Sequence, residues 1–164
     1  MVDTMGWILA VLITPANVQD RDGAKRLLEQ VCDLFPRLIA AFGSDRSRYS
    51  SAAEVQCYSG IAPVTRRSGK TLHVSSRYAC PKFLKQTFHE FADHARKWSR
   101  WSAAYYRQKR EAGCKHQAAV RALAFKWIRI MFRLWKTHST YDETRYIQQL
   151  KQTNSPLVKY LETA

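Results

Sequence analysis

Acidic side chains are scarce in this sequence: 13 Asp and Glu stand against 27 Lys and Arg, a formal net charge of +14. Glycine (six), proline (five) and cysteine (four) are few as well. Collagen-like and low-complexity chains need far more Gly and Pro, and disulfide-stapled scaffolds need denser Cys, so these classes are excluded. Long apolar runs are also missing. Met5 to Ile13 is too short to span a bilayer and has no basic segment before it, so neither a membrane span nor a secretory leader is expected. Cys32, Cys57, Cys80 and Cys114 make no C-x-x-C pair, which argues against structural zinc and for reduced thiols in a cytoplasm. What remains is a 164-residue chain, 46% apolar and 12% aromatic, long enough to bury a core. Its cation surplus calls for a polyanionic partner, nucleic acid first and an acidic membrane surface second.

The charge is unevenly placed. The first 45 residues hold four basic and six acidic side chains, and the remaining 119 hold 23 and seven. Trp7 to Ile13, stopped by Thr14-Pro15, reads as a buried strand. Asp20 or Asp22 then caps a helix with Ala24, Leu27, Leu28 and Val31 on one face. A strand with no sheet partner leaves its ladder groups unpaired, so residues 1–35 look like a piece of a larger α/β domain.

From Arg37 onward the pattern is helical. Arg37 to Phe42 forms a short helix closed by Gly43, and Ser51-x-x-Glu54 is a capping box opening a helix to Tyr58. Between Ser59 and Ser76 the helical period disappears, and Pro63 with Ser68-Gly69 predicts an irregular loop or hairpin carrying Arg66, Arg67, Lys70 and Arg77. Pro81 starts a helix whose Leu84, Phe88, Phe91, Ala95 and Trp98 define one buried face. Trp101 to Ala112 is a further helix ending at Gly113. Gln117 to Lys136 is expected to be the central helix: Arg121, Lys126, Arg129, Arg133 and Lys136 fall within an arc of about 140°, and the rest of the wheel is apolar. Tyr141 to Gln152 is the last amphipathic helix before a tail.

Three motif fragments are weighed and set aside. Ser68-Gly69-Lys70-Thr71 imitates the end of a P-loop, but position 64 is Val where that motif needs Gly. His89-Glu90 and His94 imitate a zincin helix with the second His one residue too far, placing the imidazoles about 140° apart. Asp3, Asp20 and Asp22 include two residues at capping positions, so they are read as caps rather than metal ligands. The basic stripe is harder to dismiss as a solvated face. Residues 66–136 contain eighteen Lys and Arg against Glu90, Asp93 and Glu111, whereas an ordinary surface mixes signs. Lys126, Arg129, Arg133 and Lys136, with aromatic residues interleaved, fit phosphate contact.

The segments AFGSDRSRYSSAAEVQCYSGIAPVTRRSGK, CPKFLKQTFHEFADHARKWSRWSAAYYRQKR and HQAAVRALAFKWIRIMFRLWK resemble the C-terminal, serine-containing transposase domain of the IS110/IS116/IS902 family of bacterial insertion sequences. The resemblance covers about Arg37 to Tyr146. Its hallmark is the Gly60-Ile61-Ala62-Pro63 turn followed by Arg67-Ser68-Gly69, which implies Ser68 as the catalytic serine. The resemblance also implies an N-terminal RuvC-like domain with metal-binding carboxylates, and a structured RNA that guides donor and target DNA. Residues 1–36 are instead similar to an internal stretch of IS5-type DDE transposases. There the segment belongs to an RNase H-like fold between the first two catalytic acids, so Asp3, Asp20 and Asp22 inherit no catalytic role.

The expected architecture is therefore mainly α: a small helical bundle (37–152) with an irregular serine-containing loop, preceded by a strand-helix fragment of an RNase H-like domain (1–36) and followed by a tail (153–164). The expected function is that of a truncated, chimeric transposase acting through Ser68, or of a non-catalytic nucleic-acid-binding remnant that competes with a full-length transposase. No metal ligands or cofactors are expected in this chain, Mg²⁺ belonging to the RuvC-like domain. Expected partners are DNA and a structured guide RNA, with a second copy or a full-length transposase, and no membrane. The expected location is the cytoplasm, on the nucleoid.

Overall fold

The computed structural model describes residues 37, 38 and 40–161. The strand and helix expected over residues 1–35, and with them the RNase H-like and IS5-type reading, lie outside the described residues. The chain divides into two units, Met1–Asp45 and Arg46–Ala164. In the first, residues 37, 38 and 40–42 are helical, and Gly43 follows with φ +74°.

The second unit is a helical bundle with one hairpin. Its elements are α1 (Ala52–Tyr58), β1 (Val64–Ser68), β2 (Thr71–Ser75), α2 (Lys82–Trp98), α3 (Arg100–Glu111), α4 (His116–Thr137), α5 (Glu143–Gln152) and α6 (Val158–Leu161). Local chemistry sets most of the boundaries. Ser51 caps α1, its hydroxyl accepting from the Glu54 amide, but the Glu54 carboxylate reaches one residue further back than a capping box requires and takes the Ser50 amide and hydroxyl. Ser99, in extended conformation, ends α2 and caps α3 through the Ser102 amide. Gly113 follows α3 at φ +82°. Asp142 caps α5, so that helix starts at Glu143 rather than at Tyr141.

As expected, α4 is the hub, packing against α1, α2 and α3. Its N-terminal half is buried through Ala119, Val120, Leu123, Ala124, Trp127 and Ile128. The small residues Ala119 and Ala124 are fully buried. The C-terminal half departs from the all-apolar expectation: Ile130, Met131, Phe132, Leu134 and Trp135 are only half-buried. Helix α2 contributes Leu84, Thr87, Phe88, Ala92 and Ala95 to the core. Trp98, expected on that face, is 63% exposed, because the chain turns at Ser99 and the fully buried Trp101 takes the interior position.

Trp101 and Trp127 centre an aromatic cluster with ring centroids 4.9 Å apart, joined by Phe91, Tyr141 and Tyr146 at 4.9–5.2 Å. A chain of polar groups crosses it: Trp127 Nε1 donates to Ser102 Oγ (3.0 Å), Ser102 Oγ to Ser99 Oγ (3.0 Å), and Ser99 Oγ to Glu143 Oε1 (2.8 Å). Each buried polar atom thereby gains a partner, avoiding a desolvation cost of about 1–3 kcal/mol per orphaned group. The segment after Gln152 turns back, and α6 packs on α3 with Leu157 and Leu161 buried.

Candidate nucleic-acid interface and serine hairpin

Ser68 is the last residue of β1, next to a two-residue loop, Gly69-Lys70, that leads into β2. Gly69 has φ +55°, as a tight hairpin loop of this length demands at its first position. The strands pair Val64 with Ser75, Thr65 with Val74, Arg66 with His73, Arg67 with Leu72 and Ser68 with Thr71. Of the two arrangements open in the sequence, loop or hairpin, the hairpin is present. Its tip, from Thr65 to Val74, is exposed.

Because side chains alternate along a strand, this register sorts the hairpin into two faces. Ser68 shares its face with Arg66, Thr71 and His73. Arg67 lies on the other face with Thr65, Leu72 and Val74, and its Nε turns back onto the Gly69 carbonyl at 3.4 Å. Lys70 occupies the loop itself. The three cations expected around the serine are thus divided: Arg66 on its face, Lys70 at the tip, Arg67 opposite.

The base of the hairpin is tied to the bundle by groups the sequence did not single out. Lys85 of α2 donates to Ser76 Oγ and to the Arg77 carbonyl, both at 2.9 Å. Arg77, expected to bind nucleic acid, donates from Nε to the Ala62 carbonyl (3.4 Å) and points another guanidinium nitrogen at Cys57 Sγ (3.8 Å). Gly60 sits here at φ +74°, and a Cβ added to it would overlap the Cys80 side chain. The Gly60 position of the hallmark turn therefore has a steric reason: it lets the turn lie directly against Cys80.

The stripe on α4 is also divided. Arg129 and Arg133 are exposed. Lys126 is half-buried, its ammonium 4.6 Å from the Tyr105 ring centre and 5.6 Å from that of Trp101. Burial, with help from Lys109 and Arg129, holds its pKa below the ordinary lysine value. Lys136 donates to the Arg46 carbonyl at 2.5 Å and lies over Phe132 and Trp135. Two of the four cations thus have partners within the chain, Lys126 half-buried and Lys136 exposed, while Arg129 and Arg133 stand exposed as well.

The imitations of known motifs gain nothing from the fold. His89 is half-buried with Nε2 inaccessible and unpartnered, its pKa pushed down by burial and by Lys85 and Arg121, while His94 is exposed. Among the described residues no three His, Cys, Asp or Glu side chains come together as metal donors. No helix among the described residues is long and apolar enough to cross a membrane.

The bundle thus presents an exposed serine hairpin with cations on and beside it. Residues 33–107 match the transposase model of the IS116/IS110/IS902 family, and over those residues the chain carries a transposase domain of that family. The chain is 34% identical over 116 residues to the mini-circle IS117 protein of Streptomyces coelicolor, covering 71% of this chain and 28% of that one. It is 30% identical over 106 residues to the 42 kDa protein of insertion element IS900 from Mycobacterium paratuberculosis, covering 63% and 26%. The chain thus spans about a quarter of the length of the curated relatives it matches.

Proposed function

We propose that this domain is the serine-bearing, DNA-binding part of an insertion-element transposase, with Ser68 as nucleophile toward a DNA phosphodiester. The observation that carries the reading is the position of Ser68 at an exposed hairpin tip, flanked by Arg66 and Lys70, inside a segment that matches a transposase family. Guanidinium and ammonium donors hold phosphate oxygens, and an alcohol beside them is placed to attack phosphorus. Arg67 on the reverse face, with Arg129 and Arg133 on α4, extends the cationic surface along a duplex or a structured guide RNA. Arg77 and Lys126 act mainly within the fold, and Lys136, exposed beside Arg133, is part of the same cationic surface. The carboxylates of a metal site would come from a RuvC-like domain acting with this one. Residues 1–36, read as an IS5-type fragment, contribute no catalytic group to this scheme.

The test measures binding and covalent protein–DNA adducts together. The isolated chain and its Ser68→Ala variant should bind DNA equally well and form no adduct, since the alkoxide leaving group of a phosphodiester departs poorly without a metal. Adding a RuvC-like domain from a family relative should produce Ser68-linked DNA with the parent chain alone. Adducts that survive Ser68→Ala would refute the serine assignment. A second reading is a non-catalytic binder that competes with a longer transposase, using the same exposed cations, Arg66, Arg67, Arg129 and Arg133. It predicts strong binding with no adduct even in the presence of the added domain.

A further inference from the structure

The hairpin register brings a side chain to the serine that neither the charge pattern nor the motif points to. Ser68 pairs with Thr71, so the next residue of β2 on the same face is His73, itself paired with Arg66. Diagonal neighbours on one face of an antiparallel pair lie about 7–8 Å apart at the backbone, within reach of an imidazole directly or through one water. Ser68, His73 and Arg66 are all exposed, so substrate and water can reach all three. The face thus holds a hydroxyl, an imidazole and a guanidinium: a nucleophile, a group able to take its proton, and a donor for phosphate oxygens.

We infer that His73 is the proton acceptor for Ser68, with Arg66 holding the phosphoryl oxygens. The inference rests on Ser68 being the nucleophile. In the attack the Oγ–P bond forms and the bond from phosphorus to the leaving sugar oxygen breaks. The Oγ proton passes to a ring nitrogen of His73 and then to solvent, and the leaving oxygen takes a proton from water. Arg66 is the charged residue facing His73 across the pair. The opposite face, with Leu72 and Val74, offers no such group.

A fluorophosphate ester separates this inference from the question of DNA cleavage. Diisopropyl fluorophosphate needs an activated hydroxyl but carries its own good leaving group: the Oγ–P bond forms, the P–F bond breaks, and fluoride departs. The full chain is incubated with it from pH 5 to pH 9, and label on Ser68 is read by peptide mass spectrometry. Ser68 should label faster than the other serines, with a rate that rises as an imidazole loses its proton and then levels off. His73→Gln should slow labelling at neutral pH by at least about tenfold and remove that rise, general-base assistance being worth about 10²–10⁴. Free imidazole should restore labelling to His73→Ala. Equal rates and profiles in parent and His73→Gln, or a Ser68 no more reactive than its neighbours, would overturn the inference. Ser68 labelling that depends on His73, alongside DNA adducts that survive Ser68→Ala with the added domain, would sink the proposed function and overturn the use of the pair on DNA, while the activation of the Ser68 hydroxyl by His73 stood.

Discussion

The division of the α4 stripe leads to a double dissociation between nucleic-acid binding and stability. Each Lys or Arg on a phosphate contributes about 0.9 to the slope of log K against log salt, through counterion release. Arg129 and Arg133 are exposed and have little to do with the core. Replacing both with Ala should lower the slope by about 1.8. The affinity lost between about 50 and 200 mM salt then becomes about twelvefold smaller than in the parent. Stability should move by no more than about 0.5 kcal/mol for each exposed change. Lys126 should behave in the opposite way. Its ammonium lies 4.6 Å and 5.6 Å from two aromatic ring centres, and the residue is half-buried. Lys126→Ala should therefore cost about 1–2 kcal/mol from lost cation–π attraction and packing, with the salt slope unchanged. Fluorescence anisotropy on one duplex at four salt concentrations, with urea unfolding of the same preparations, measures both axes. A Lys126→Ala variant of unchanged stability whose slope falls by about 0.9 would refute the assignment of Lys126 to the fold.

Gly60→Ala should destabilise by about 2–5 kcal/mol, combining a left-handed backbone with overlap on Cys80, while Gly69→Ala, at φ +55° in open space, should lose only the backbone part of about 1–2 kcal/mol. Urea unfolding checks both, and equal losses would remove the steric account of the hallmark turn. The Tyr141 hydroxyl accepts from Trp101 Nε1 at 2.5 Å, and burial pushes its pKa up from 10.0 to about 12. Between pH 10 and about 12 the unfolded chain ionises this phenol while the folded chain keeps it neutral, so its contribution, complete below pH 10, is lost as pH rises through that interval. Tyr141→Phe should flatten that part of the stability–pH curve, and an unchanged curve would count against the shift.

How much of this could be read from the sequence depends on whether the deciding interaction is local. The helix boundaries at Ser51, Ser99, Gly113 and Asp142 follow from capping and backbone preferences of the residues themselves, and the sequence announces them to within a residue or two. The partition of the cations does not follow from counting charges. Lys126 and Arg129 lie on the same arc of the wheel, and only the approach of α3, carrying Trp101 and Tyr105, covers one and leaves the other in water. Trp98 and Trp101 differ for a similar reason: one extended residue, Ser99, turns the chain between them.

The hairpin shows most clearly where sequence reading stops. Alternation along β1 already places Arg66 with Ser68 and Arg67 opposite, whatever lies across from them. What the serine meets on β2 depends on loop length alone. With two residues in the loop, Ser68 pairs with Thr71, and Thr71 and His73 share its face. A loop one residue longer would pair Ser68 with Leu72 and put Leu72 and Val74 on that face, exchanging the imidazole for apolar side chains. Gly69 is the residue that permits the shorter loop, through its positive φ. Deleting Thr71, which keeps the two-residue loop and pairs Ser68 with Leu72, should therefore act on chemistry rather than on folding. Helical content and DNA affinity should hold, because the hairpin tip is exposed and the cations remain. Ser68 labelling by diisopropyl fluorophosphate should fall to the level of His73→Gln. A deletion variant that labelled as fast as the parent would mean that register does not control the serine, and that the face holding Ser68, His73 and Arg66 is a coincidence of placement.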